Sequence, residues 1–301
     1  MEESIGHQFG NFHSYYRFHP VTERTQYFTT GMFSTIWEAD GKPPCFTMLD
    51  VGCNEGDLTI EMALLATKDL PKHVSVKVLG LDLDSELISR ASIKLDAMRH
   101  SSSLPSNCTI EFNTCNLTLP ASYSEDGVVQ TFLQSCGDTS SCIQSNTFSF
   151  ITLFSVTMWV HLQVGDDQFK SFLHNICNLT SSSILIEPQP WKCYRAAARR
   201  CRKQSLPSFP YPPDTLKLTD IDDVVRSIVV EECHFSSRCS WSLGTESWGR
   251  TLVVYHRETK PCLMRIMSQS SLESLGTCET SLDGKNVTDA VVPSTVTDTA
   301  V

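Results

Sequence analysis

The stretch Leu49-Asp50-Val51-Gly52-Cys53-Asn54-Glu55-Gly56-Asp57-Leu58-Thr59 runs from apolar residues into a glycine-punctuated turn. It continues as Asp57-Leu58-Thr59-Ile60-Glu61-Met62-Ala63-Leu64-Leu65, a pattern suited to a helix. A strand, a tight glycine turn and a helix form the nucleotide-binding edge of a doubly wound α/β domain. Gly52 lets the chain turn sharply, and Gly56 lets a ligand or strand approach the backbone closely. The helix N-terminus then points free N–H groups at the ligand. Taken alone, the same stretch is also an ordinary strand-to-helix turn. Asn54 stands where G-x-G-x-x-G has its second glycine. That weakens a dinucleotide reading and leaves room for S-adenosylmethionine, which carries no pyrophosphate.

Outward from this turn, strand and helix patterns alternate. Cys45–Val51 predicts the first strand, 76–82 the second, 107–115 the third, 148–154 the fourth and 183–187 the fifth. Helices are expected over 56–67, 85–98, 166–179, 191–203 and 218–226, with strands again at 227–235 and 251–256. Such alternation predicts a mainly parallel sheet with helices on both faces. Residues 1–30 are too aromatic for a disordered tail and read as an arm, either packed on the domain or covering a site. The domain proper is expected over 31–258. It carries a Ser/Gln/Thr-rich surface insertion at 118–147, and a disordered tail follows at 259–301.

Composition narrows the class. The 301 residues suffice for one large domain. No apolar run is long enough to span a bilayer, and the acidic start Met1-Glu2-Glu3-Ser4 shows no secretory signal. The 13 cysteines include no Cys-x-x-Cys pair. Reduced thiols in the cytoplasm are therefore expected, with no zinc site, and the Asn-x-Thr triplets at Asn107, Asn116, Asn178 and Asn286 need not be glycosylated. A net charge of −10 argues against a wholly basic nucleic-acid coat but allows a local basic patch. A monomer is expected.

Four groups of residues carry the chemistry. Asp82, ending the second strand, suits the hydroxyls of an adenosine ribose; Asp84 is the simpler helix cap. Asn116, ending the third strand, has an amide oxygen for an adenine amine, and the Leu117 N–H can donate to the ring. Ser155–Leu162, including Trp159 and His161, follows the fourth strand where a cofactor's reacting end belongs, although a buried Trp and a satisfied core His fit equally. Glu187-Pro188-Gln189-Pro190-Trp191-Lys192 is a rigid site wall or a helix start. It leads into Lys192, Arg195, Arg199, Arg200, Arg202 and Lys203 on one helix. That charge run is either a solvated face or a grip for a phosphate or RNA backbone.

Together these pieces resemble the bicoid-interacting-domain family of RNA methyltransferases. The likeness covers about 9–257. It rests on Phe9-Gly10-Asn11-Phe12 with Tyr15, on Leu49 to Asn54, on Thr157-Met158-Trp159-Val160-His161-Leu162, and on Glu187 to Arg200. The resemblance implies a Rossmann-like class I methyltransferase fold with a seven-stranded sheet. It implies S-adenosylmethionine as donor and an RNA 5′-monophosphate as acceptor, histidine tRNA and microRNA precursors being substrates in the family. It places Arg24 at the methionine carboxylate and the Gly52–Gly56 turn with Asn54 along the cofactor. Asp82 then holds the ribose, Asn116 and Leu117 flank the adenine, and Phe154 lies beneath. Two positions depart from the pattern: Asn116 replaces an acid, and Phe154 replaces a smaller apolar residue. A terminal phosphate, with its second pKa about 6, needs no strong base. Tyr15, Arg17, His161 and Lys192 are therefore expected to grip the phosphate, with Arg195 and Arg199 on the RNA. Two alternatives stay open: a methyltransferase for a small molecule or protein, whose activity would ignore salt, and a non-catalytic RNA-binding relative, which would not bind the cofactor.

Overall fold

A computed structural model describes residues 9–10, 12–13, 15–136, 146–243 and 250–257. The chain divides into 1–260 and 261–301, and the described residues all fall in the first unit. The expected tail at 259–301 lies outside them, as do 137–145 of the expected insertion.

Seven strands form one sheet: β1 (Cys45–Val51), β2 (Ser75–Asp82), β3 (Cys108–Thr114), β4 (Phe148–Phe154), β5 (Thr180–Glu187), β6 (Phe235–Leu243) and β7 (Arg250–Arg257). Their order is β3-β2-β1-β4-β5-β7-β6. The first five are parallel, whereas β7 runs antiparallel to β5 and β6 antiparallel to β7. Central strands are buried on both faces, which is why Phe148-Ser149-Phe150-Ile151-Thr152-Leu153-Phe154 reads as a near-continuous apolar run. Helices α1 (Met32–Ala39), α2 (Asp57–Asp69) and α3 (Ser85–His100) bury Phe33, Ile36, Leu58, Met62, Ile88 and Ala91 in one core layer. Helices α4 (Val128–Cys136), α5 (Thr157–Asn178), α6 (Trp191–Lys203) and α7 (Ile221–Arg226) belong to the other, with Phe132, Phe169, Phe172 and Tyr194. The strand order reverses between β1 and β4, and ligands of open α/β sheets bind at such a switch.

Three expectations about elements are corrected. The strand expected at 227–235 begins only at its last residue, Phe235: Ser227–Glu232 winds on from α7 as a π-helical turn. Ile221, Val225, Ile228 and Val229 are buried at helical spacing, a period that the β-branched composition masks. Helix α5 begins at Thr157, not at 166, and contains Gly165 in a non-helical conformation. Within the expected surface insertion at 118–147, α4 buries Val129, Phe132 and Leu133 at i, i+3, i+4 spacing, and Phe132 stacks on Phe148 with centroids 5.9 Å apart. That part is a crossover helix between β3 and β4, not an appendage.

Candidate active site

The glycine turn is fixed by backbone bonds. Both Gly52 and Cys53 donate their N–H to the Leu81 carbonyl, at 2.7 and 2.9 Å, which hangs the turn on the end of β2. Gly52 has φ 76°, and a Cβ there would lie 3.0 Å from Val156. Asn54 also takes a left-handed conformation, φ 53°, which Asn tolerates better than most residues. Its N–H donates to Asp82 Oδ2 at 2.9 Å, and the Asp84 N–H donates to Asp82 Oδ1 at 3.0 Å. Asp82 therefore ties two loops together. Burial pushes its carboxyl above the ordinary value, an effect that these backbone donors oppose. Gly56 does not line the cavity: the space its side chain would fill is taken by the Phe112 ring, 2.6 Å from an ideal Cβ, and by Ala91. The sequence assigned it to the cofactor, but here it permits close helix–sheet packing.

A cavity of about 510 Å³ opens at the carboxyl ends of β1, β2 and β4. Gly52, Asn54, Asp82, Phe154, Arg24 and Tyr15 all line it. A second cavity of about 260 Å³ shares Gly52, Asp82, Val156 and Trp159 with the first and reaches Asn116 and Leu117. Asp82 thus stands where the two spaces meet. The Asn116 amide oxygen already accepts from the Thr118 N–H, 3.0 Å, and the Thr118 hydroxyl, 2.7 Å. Those two bonds fill its acceptor capacity, so Asn116 shapes the loop more than it offers an acceptor.

The main cavity also has a charged wall. Glu187, fully buried at the end of β5, receives Arg24 Nε on Oε2 at 2.7 Å and Arg24 Nη2 on Oε1 at 3.1 Å. Arg250 Nη1 reaches the same Oε1 at 2.9 Å, and the Ser155 hydroxyl donates to it as well. Arg24 also donates to the Tyr15 hydroxyl at 2.9 Å. Burial alone would raise the Glu187 carboxyl, but Arg24 and Arg250 hold it below the ordinary value. The group carries one negative charge against two positive ones, so this wall favours an anion. His19 lines the cavity with its pKa lowered to about 4, through burial and then the neighbouring Arg24 and Arg250, and so stays neutral at pH 7. Arg200, on α6, lines the cavity too.

The aromatic arm lies along this cavity. Phe9, Gly10, Phe12 and His13 line it. Phe12 meets Trp159 edge-on at 5.9 Å, and its carbonyl accepts from Asn54 Nδ2 at 3.2 Å. Gly10, φ 80°, lies so close to the Trp159 indole that a Cβ would overlap it.

Several expected phosphate ligands are elsewhere. His161 is fully buried: Nε2 pairs with Asp166 at 2.8 Å, Nδ1 with the Tyr194 hydroxyl at 3.2 Å, and the ring stacks on Phe169. Burial lowers its pKa despite Asp166. It is a core histidine and does not reach the cavity, because the helix starting at Thr157 turns it inward. Arg17 and Lys192 are exposed and outside the cavity lining. Arg195 and Arg199 line a separate groove. Arg250 and His19 were missed as site residues, whereas Glu187 was named as part of a wall and Arg200 within the basic run. Arg250 stands on a strand with no motif around it, and only the fold brings it to Glu187.

Strand order, antiparallel β7 and a ligand-sized cavity at the switch with an acid ending β2 define a class I methyltransferase. The sequence of residues 148–257 matches the family described as Bicoid-interacting protein 3 (Bin3). The pre-miRNA 5′-monophosphate methyltransferase of Danio rerio is 35% identical, over 83% of this chain and 92% of that protein. The protein of the same name from Xenopus laevis is 32% identical, over 84% and 94%. Among solved structures, magnesium protoporphyrin IX methyltransferase from Synechocystis PCC 6803 covers 85% of this chain and all of its own, at 14% identity and TM-score 0.46. The chain belongs to the bicoid-interacting-protein-3 family of RNA methyltransferases.

Proposed function

We propose that this protein transfers a methyl group from S-adenosylmethionine to an oxygen of an RNA 5′-monophosphate. The observation that carries the reading is the make-up of the main cavity: the Asp82–Asn54 turn lines it, and so do three guanidiniums, Arg24, Arg250 and Arg200. The residues present fit this cofactor. Asp82 is a buried carboxylate at the junction of two connected spaces, Gly52 leaves room where a side chain would press on Val156, and Leu117 walls the smaller space. Asp82 would hold the ribose, Asn54 and Gly52 the body, Leu117 the adenine, and Arg24, beside Phe154, the methionine carboxylate. When bound, S-adenosylmethionine supplies an electrophilic methyl group.

The protein's own part is positioning. Arg250 and Arg200 attract a terminal phosphate, and Tyr15 and neutral His19 add groups without charge. No general base is required, because the phosphate is mostly ionised near neutral pH, its second pKa being about 6. Aligning acceptor and donor and excluding water supply the acceleration, and the arm over the cavity serves that exclusion. Among the described residues no cluster of three or more His, Cys, Asp or Glu side chains is placed to hold a metal, and no helix is long and apolar enough to cross a membrane. We read the protein as a cytoplasmic monomer acting on histidine tRNA and microRNA precursors; the nine unbridged cysteines among the described residues support the reducing compartment, and the pre-miRNA named for its relatives supports the microRNA precursors.

The test is phosphatase treatment. Small RNA bearing a 5′-monophosphate should take up label from the cofactor, and the same RNA stripped to a 5′-hydroxyl should take up none. Equal labelling of both would remove the phosphate from the reading.

A further inference from the structure

Helix α6 carries cations to two different concavities. Cys193, Ala196 and Arg200, spaced i, i+3, i+7, face the main cavity. Arg195, Arg199 and Arg202 line a separate groove of about 530 Å³, together with Trp191, Phe209 and Pro213. The far wall of that groove is the segment joining α6 to α7, and it is held in place. The break at Gly165 (φ 77°, ψ 179°) is packed by Tyr211. The Leu162 carbonyl accepts the Tyr211 N–H at 3.1 Å. Asp166 accepts the N–H groups of Lys217 and Leu218 at 2.9 and 3.3 Å. His161, between Asp166 and Tyr194, ties this wall back to α6.

Arg195, Arg199 and Arg202 are exposed and meet no carboxylate among the described residues. Elsewhere, Arg90, Lys94, Arg99 and Arg226 each pair with one. Asp214 is the sole acid lining the groove. Three such guanidiniums beside a tryptophan, in a chain of net charge −10, suit a polyanion with aromatic bases. We propose that this groove binds the RNA strand immediately 3′ of the methylated end, with Arg195, Arg199 and Arg202 on its backbone phosphates. The proposal rests on the 5′-phosphate reading of the main cavity. One helix, roughly 10–12 Å across, separates the two concavities, so a strand leaving the cavity crosses α6 to enter the groove.

The test compares the wild-type protein with R195A/R199A/R202A and R195K/R199K/R202K. The probes are 5′-monophosphorylated RNAs lengthened from one nucleotide to about six, within the size of known single-strand sites. Wild-type affinity should rise with length. The alanine variant should lose about tenfold or more of that gain, and its plot of log affinity against log salt should be shallower by about 2, at ~0.7 per phosphate contact. The lysine variant should keep the slope. The groove assignment is overturned if the alanine variant retains both the wild-type length gain and the wild-type slope, as it would if an acidic peptide were the occupant. Failure of the 5′-phosphate reading looks different: RNA binding still depends on the three arginines but ignores removal of the 5′-phosphate, and no methyl group is transferred.

Discussion

Glu187 is the residue on which the charged wall of the cavity depends. It is fully buried, and two guanidiniums from opposite ends of the chain converge on one of its oxygens. Removing one partner from a buried ion pair leaves uncompensated charge and costs about 3–5 kcal/mol. Glu187→Ala should lose about that much stability in urea denaturation at pH 7; a loss below about 1 kcal/mol would show that Arg24 and Arg250 are held by other groups. The pH dependence has a definite sign. The folded-state pKa of Glu187 lies below the ordinary value, so its contribution is complete above the unfolded value of about 4.3 and is lost as pH falls through the folded one. Denaturation from pH 7 downward should show that loss in the wild type and not in the variant. Motif reading marked Glu187 as part of a wall, without its charge partners. Arg24 and Arg250 lie on different elements, and no spacing rule links them.

Among the elements, α5 shows best how local pattern can mislead. Ser155 to Leu162 reads as a stretch at a cofactor's reacting end, or as one holding a buried Trp and a satisfied core His, and the helix is expected only from 166. The helix in fact runs through this stretch, and the break at Gly165 frees the Leu162 carbonyl to hold the Tyr211 strap. Gly165 has a conformation close to the region that only glycine occupies readily, and a Cβ there would sit 2.8 Å from the Tyr211 ring. Gly165→Ala should therefore destabilise the protein by about 1–3 kcal/mol in chemical denaturation. An unchanged midpoint would mean that the strap is not set by this break. By contrast β1, β4 and α6 were legible to the residue: β1 lies between Pro44 and Gly52, β4 is a short, nearly continuous apolar run, and α6 starts after Pro190 with its charges at helical spacing. Helix α1 and the start of β6 at Phe235 were not, the latter because the β-branched residues before it mask a helical period.

For the whole molecule, the sheet order brings residues from six separate segments to one cavity: the arm, the β1 turn, the end of β2, the end of β4 with the start of α5, Gln189 with α6, and β7. Gly52, Asn54 and Asp82, which the sequence singles out, do meet at this cavity, because the β2 end that carries Asp82 lies beside the β1 turn. The basic run of α6 was legible as a run but not which of its cations faces the cavity, and Arg250 was not legible at all, because both depend on how α6 and β7 pack. The central claim is that an oxygen of the terminal phosphate takes the methyl group. The most direct measurement is mass spectrometry of the 5′-terminal nucleotide released from RNA after incubation with the protein and S-adenosylmethionine. The added mass should remain with the phosphate when the nucleoside is split off. A methyl group recovered on the ribose or the base would contradict the account.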